Sequence, residues 1–248
     1  MTTAKEIIAE LQRMFPKRLR EKWDTTDGLV RGRISRRVGK AIVSLEFREN
    51  VPCADAEMFI LHHPPVFGPG RRVTNPFYRR EDVRGKVVYA VHTRMDRTGF
   101  VGKAIAERLF GEGGYVTLKV LRDGTAIIRL KRPMAMKEVL HRVKGRLKLR
   151  SVNAIVKRGR VRKVGILGGS AFRPHHLDPA VAEGIDLYLG GEMGHHLAEH
   201  AHFFDVSLID IGHFSEQEGM RKLAEVLRRR FPEVDFEYVE QRPQWDSY

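Results

Sequence analysis

Apolar residues recur along this chain in two rhythms. A helical period places Ile7, Ile8, Leu11, Met14 and Phe15 on one face and predicts a helix over 4–20. Short apolar runs bounded by polar or turn residues predict buried strands at 40–47, 58–61, 87–91, 164–167, 186–189 and 206–211. Between them, helical spacing predicts helices at 100–109, 136–143, 193–202 and 218–231, with another opening at 179–183. Residues 115–132 read as a hairpin turning at Asp123-Gly124. The stretches 23–32 and 64–81 read as a turn-rich segment and a loop. At 144–150 every second residue is Lys or Arg, the period of a strand with one basic face. Strands alternating with helices define an α/β class with mixed, largely parallel sheets flanked by helices.

The strand ends carry the chemistry. Met58 to Leu61 runs into His62-His63-Pro64-Pro65, and proline cannot continue a strand. Val87 to Val91 runs into His92, with Asp96 four residues on. Val206 to Ile211 runs into Gly212-His213, with Glu216 close behind. A single strand-end histidine is commonly a polar cap on a core strand. Three such sites, two with a nearby carboxylate, point to a nitrogen/oxygen metal site at the strand edge where α/β folds collect ligands. Imidazole with carboxylate suits Zn, Fe, Mn or Ni and disfavours Ca.

Composition narrows the setting. With 248 residues the chain can bury a sizeable core as one large or two small domains. No apolar stretch is long enough for a bilayer, so no membrane partner is expected. The single cysteine, Cys53, excludes an internal disulfide and suits a reducing cytoplasm. Scarce Asn and Gln beside many charges hint weakly at a thermophilic source. A net charge of +14 favours anionic partners: a small molecule such as a nucleotide, or nucleic acid. The run 142–163 holds ten Lys or Arg and no acid, which is either a solvated strand face or a phosphate-binding surface. It lacks the interleaved aromatics that base stacking needs.

His62-His63-Pro64-Pro65-Val66-Phe67, His92-Thr93-Arg94-Met95-Asp96 and Gly212-His213-Phe214-Ser215-Glu216 resemble the Nif-three-like dinuclear-metal-centre family, whose members are often called type-two GTP cyclohydrolase homologues. Trp23 to Leu29 resembles that family's early Trp-Asp-Asn-x-Gly-Leu turn with one extra residue. Gly168-Gly169-Ser170 resembles its Gly-Gly-Ser-Gly loop, though Ala171 follows and His175-His176 lie just beyond. Gly191-Glu192 with His196 resembles its Gly-Glu-x-x-x-His element. The matches keep their order and cover nearly the whole chain.

The resemblance implies two divalent metal ions (Zn, Fe, Mn or Ni) held by His62, His63, His92, Asp96, His213 and Glu216, with Glu218 a lesser alternative to Glu216. It implies two similar α/β subdomains, 1–98 plus 206–248 and 99–205, with the metals in the cleft between them. It also implies a toroidal homohexamer. Glu192 and His196 become the candidate catalytic or metal-supporting residues. The implied activity is metal-dependent hydrolysis of a nucleotide-like or cyclic amide substrate. The alternatives are a non-catalytic metal carrier and a regulatory or nucleic-acid-interacting protein. A rival pattern, His196-Leu197-Ala198-Glu199-His200, matches inverted zinc peptidases; the plainer reading is a helix packed beneath the site. Gly168-Gly169-Ser170 after a strand reads as a tight turn before a phosphate cradle, since it lacks a nucleotide-loop context.

Overall fold

The computed structural model describes residues 1–242 apart from Thr26, Asn50, Cys53, 68–71, Thr74 and 80–82. Cys53, one position of the 23–32 turn and part of the 64–81 loop thus lie outside the described residues. The chain forms two compact units, Met1–Met95 with Met220–Gln241, and a second built on Asp96–Gly219. No described helix is long and apolar enough to cross a membrane.

The first unit opens with α1 (Ala4–Met14), where Glu6 reaches back to accept a hydrogen bond from the Thr3 backbone N–H at 2.7 Å. The helix stops well short of residue 20 because Pro16 disfavours helical geometry at Phe15. A five-stranded sheet follows from β1 (Gly28–Arg31), β2 (Lys40–Ser44), β3 (Met58–Leu61) and β6 (Val87–Ala90). Between β3 and β6 the 64–81 region forms the small pair β4 (Val66–Phe67) and β5 (Arg72–Val73) and a 3-10 turn at Pro76–Arg79. The fifth strand, β13 (Asp235–Val239), arrives from the far end of the chain after α7 (Gln217–Arg230). Sheet order is β1-β6-β3-β2-β13, parallel except for β1. Ile42, Phe47, Phe59, Leu61 and Val88 are at the centre of one core cluster.

Strand β13 has no counterpart in the sequence reading. Its five residues alternate acids with Phe236, Tyr238 and Val239, too short a pattern to stand out. The sheet supplies the rest: β13 pairs in register with β2 from Asp235↔Lys40 to Val239↔Ser44, and Lys40 meets Glu237 at 2.8 Å.

After β6, α2 (Thr93–Arg97) leads to α3 (Phe100–Phe110) and the second unit. The hairpin is β7 (Tyr115–Val120) with β8 (Ala126–Ala135), turning at Asp123-Gly124 as expected. Then come α4 (Met136–Arg146), β9 (Ala154–Ile155), β10 (Arg160–Ile166), α5 (Pro174–Ala182), β11 (Leu187–Gly190), α6 (His195–Phe204) and β12 (Ser207–Asp210). Their sheet order is β7-β8-β10-β11-β12-β9, with β10, β11 and β12 parallel. Strand β12 therefore belongs to the second unit, and the chain returns to the first unit at Met220 rather than near residue 206.

Two further expectations change. The basic strand at 144–150 is the end of α4: Val139 and Val143 bury one helix face, and Leu149 N–H donates to the Lys144 carbonyl at 2.9 Å to close the helix. Lys144 and Arg146 then sit at the helix C-terminus, where cations complement the backbone dipole. Helix α5 begins at Pro174, not near 179; proline at the first turn lacks only a donor that has no helical partner there.

Candidate metal centre

In the first unit, β3 and β6 are parallel neighbours in register, Leu61 opposite Ala90, so their carboxyl ends coincide. His62 N–H donates to Ser44 and Leu45 carbonyls (3.2 and 3.1 Å), His63 N–H to Leu45 (2.8 Å) and Val91 N–H to Leu61 (2.9 Å). Sheet-like hydrogen bonding thus continues one or two residues past each strand and fixes the backbone that carries the imidazoles. His62, His63 and His92 each offer a nitrogen within 4.8 Å of the others. Their rings are 4.9 to 5.6 Å apart, centroid to centroid.

Two of these rings are oriented from behind. His62 Nδ1 donates to the Val91 carbonyl at 3.1 Å, and His92 Nδ1 donates to Asp24 Oδ2 at 3.0 Å. Both partners are acceptors, so the proton sits on Nδ1 and the lone pair on Nε2, the arrangement by which proteins present imidazole to a metal. Asp24 is fully buried and also accepts from Thr93 N–H and Oγ1 (3.3 and 2.8 Å). Burial alone raises a carboxyl, but the hydrogen bonds it accepts from His92 and Thr93 outweigh that and hold Asp24 below its ordinary value. Nearby, the buried Arg94 guanidinium binds Asp27, the Tyr89 hydroxyl and the Phe15 and Ala90 carbonyls, locking the start of α2. Burial pushes Asp27 up, and the opposing charge of Arg94 only partly offsets it. Asp96 lies on α2, four residues after His92.

In the second unit, β10, β11 and β12 are parallel and in register, so their carboxyl ends also coincide. Gly168-Gly169, Gly191-Glu192 and Gly212-His213 emerge there. The glycines allow close packing: a Cβ on Gly191 would come within 2.6 Å of the Gly169 carbonyl oxygen. A Cβ on Gly169 would overlap the Glu216 carboxylate, and one on Gly168 would lie 2.9 Å from Glu216 Cγ. The Gly-Gly-Ser turn is thus the seat of Glu216. His213 stands between two carboxylates, with Nδ1 2.7 Å from Glu192 Oε1 and Nε2 3.3 Å from Glu216 Oε2. Asp210 ties both loops by accepting from Met193 and Gly212 N–H (3.0 and 2.9 Å). Glu192 itself has φ +63°, uncommon for a non-glycine residue and characteristic of functional loops.

With its proton on Nδ1, facing Glu192, His213 sets a lone pair against a carboxylate oxygen at 3.3 Å. A proton or a shared cation reconciles the pair. Two ligands each about 2.1 Å from one tetrahedral ion stand about 3.4 Å apart, so the spacing fits a cation. The donor set of both units therefore fits imidazole–carboxylate coordination of a transition metal.

The remaining candidates fall elsewhere. Glu218, in the first turn of α7, lies 3.8 Å from Arg108 Nε. His196 is exposed at the start of α6, and neither it nor His200 joins any group of three ligating side chains among the described residues. The peptidase-like pattern is thus a helix packing Leu197 and Ala201 inward. His175-His176 opens α5, with His176 Nδ1 2.8 Å from Asp123 Oδ2. Sequence reasoning assigned no role to Asp24 or Asp210. An Asp directly after Trp in a turn, and an Asp at a strand end before Gly-His, were the available signals.

The family model described as Duf34/NIF3 (NGG1p interacting factor 3) matches residues 2–244. A GTP cyclohydrolase 1 type 2 homolog of Methanothermobacter thermautotrophicus is 27% identical over 195 residues, 77% of this chain and 74% of that protein. GTP cyclohydrolase 1 type 2 of Helicobacter pylori is 22% identical over 236 residues, 92% of each chain. A Staphylococcus aureus protein of known structure superimposes with a TM-score of 0.81 at 18% identity, over 100% of this chain and 99% of that one, which establishes the fold.

Proposed function

Because this chain belongs to the Duf34/NIF3 family, we propose that it is a dinuclear metal-dependent hydrolase acting on a nucleotide-like or cyclic amide substrate, with His62, His63, His92, Asp96, His213 and Glu216 as its metal ligands. The observation that carries this reading is the cluster of His62, His63 and His92, two of whose rings are held from behind in the ligand-presenting tautomer. The names of the relatives support the substrate class. Bound divalent ions would supply Lewis acidity, polarising a substrate oxygen and lowering the pKa of water near it.

The chain's own residues do the positioning. Asp24 keeps a proton on His92 Nδ1, turns Nε2 outward and places negative charge behind the ring. The Val91 carbonyl does the same for His62 without charge. Glu192 orients His213 from the solvent side, and the glycine seat fixes the Glu216 carboxylate.

Protein purified without chelator is expected to hold close to two equivalents of transition metal, and metal-dependent release of product from GTP or a cyclic amide should follow. Asp24→Asn should lower metal affinity by roughly ten- to a hundredfold while the protein stays folded. Saturation at one equivalent or fewer after metal is added back would refute the dinuclear reading; full loading with no turnover on any nucleotide or cyclic amide would refute the hydrolase.

A further inference from the structure

Trp23 is a large aromatic beside the histidine cluster of the first unit that the fold leaves outside. Its side chain is 60% exposed and meets the His92 ring edge to face at 5.6 Å. Tryptophan is on average among the most buried residues, so its position has to be held. The next residue, Asp24, is fully buried, and its N–H donates to the Glu21 carbonyl at 3.1 Å. Thr25 N–H donates to the Trp23 carbonyl at 3.0 Å, and Glu21 N–H to Thr93 Oγ1 at 3.1 Å. The turn is thus fastened on both sides of an indole that stays in solvent, against a proposed metal ligand.

The residues leading into this turn are cationic. Lys17, Arg18, Arg20 and Lys22 are exposed, against the single acid Glu21, and none of the four forms an ion pair among the described residues. An aromatic face and a run of uncommitted positive charge on adjoining residues match the two halves of a nucleotide, a planar base and its phosphates. Exposed Phe203 and Phe204 differ: they pack on each other at 4.9 Å, and Phe204 stacks on His200, which joins no group of three ligating side chains among the described residues.

We infer that Trp23 is a substrate-contacting residue, the face on which a planar heteroaromatic ring stacks, and that cations of 17–22 hold the phosphates of the same ligand. The inference rests on the functional reading above and names its substrate class as a nucleotide recognised by ring and phosphate together. Stacking on an aromatic side chain is tolerant of base identity, so Trp23 selects for a ring rather than for one base.

The test uses the full chain loaded with metal, in a Trp245→Phe background that leaves Trp23 as the single indole. Binding of GTP is expected to quench and saturate its fluorescence, whereas inorganic tripolyphosphate binds without quenching. By calorimetry, Trp23→Ala should weaken GTP roughly tenfold or more and leave tripolyphosphate unchanged, with Trp23→Phe intermediate. Equal GTP affinity in Trp23→Ala and its parent, or no binding of any purine or pyrimidine nucleotide, would overturn the inference. Turnover scored separately distinguishes the two readings. Stacking without hydrolysis leaves Trp23 a nucleotide-binding residue and removes the hydrolase; hydrolysis with an unchanged KM in Trp23→Ala does the reverse.

Discussion

A methyl group at Gly169 would enter the space of the Glu216 carboxylate and force a side chain onto a left-handed backbone at φ +66°. The backbone alone should cost about 1–2 kcal/mol, and the carboxylate must move as well. Gly169→Ala is therefore expected to lower the melting temperature and to reduce metal content at a position that ligates nothing; metal equivalents matching those of the parent protein would show that Glu216 needs no such seat. At this scale the sequence marked residues that end strands, because an abrupt change from apolar run to histidine is visible. It left Asp24 without a role, since a carboxylate that acts through another side chain has no periodic signature. The double glycine read as a turn, because which side chain needs its empty volume depends on residues about fifty positions away.

Among the elements, the β7–β8 hairpin shows how local and distant forces divide the work. Its Asp-Gly turn was legible from two residues, but what pins it is Asp123, which accepts from Thr125 N–H and Oγ1 (3.0 and 2.8 Å) and pairs with His176 of α5. Burial raises this carboxyl, yet the bonds from His176 and Thr125 outweigh it and hold it below the ordinary 3.8. A group depressed on folding contributes its full stability above the unfolded value and loses it as pH falls through the folded one. The melting-temperature gap between the parent protein and Asp123→Asn should thus be fully present above about pH 5 and shrink below about pH 4. Thermal melts across that range check it, and a gap independent of pH would assign Asp123 no ionic role. Strand β3 and helix α3 were similarly legible, their apolar period being decided within the element. Strand β13 and the end of α4 were not. The first is strand-like only because β2 lies beside it, and in the second a run of alternating cations imitated a period that Val139 and Val143 override.

For the whole molecule, metal and stability are linked by mass action. An ion present at a hundred times its dissociation constant adds about 2.7 kcal/mol to a state that alone can bind it. At 2–4 °C per kcal/mol for a chain of this size, saturating Zn or Mn should raise the melting temperature by roughly 5–10 °C over protein in chelator. Superimposable melts would count against any metal centre. The α/β class and the run of strand-end ligands could be read from the sequence. The point where the chain returns to the first unit could not, because β12 declares its sheet only through its partner β11. That return sets an order in time. Residues 96–219 make up all but Arg242 of the second unit's described residues and can close as soon as they leave the ribosome, whereas the first sheet is completed only by its edge strand β13, which pairs residue 235 with residue 40. Contacts so distant in sequence make for slow closure. Histidines 62, 63 and 92 are thus synthesised early, at the ends of two paired strands of a sheet whose β13 edge is added last.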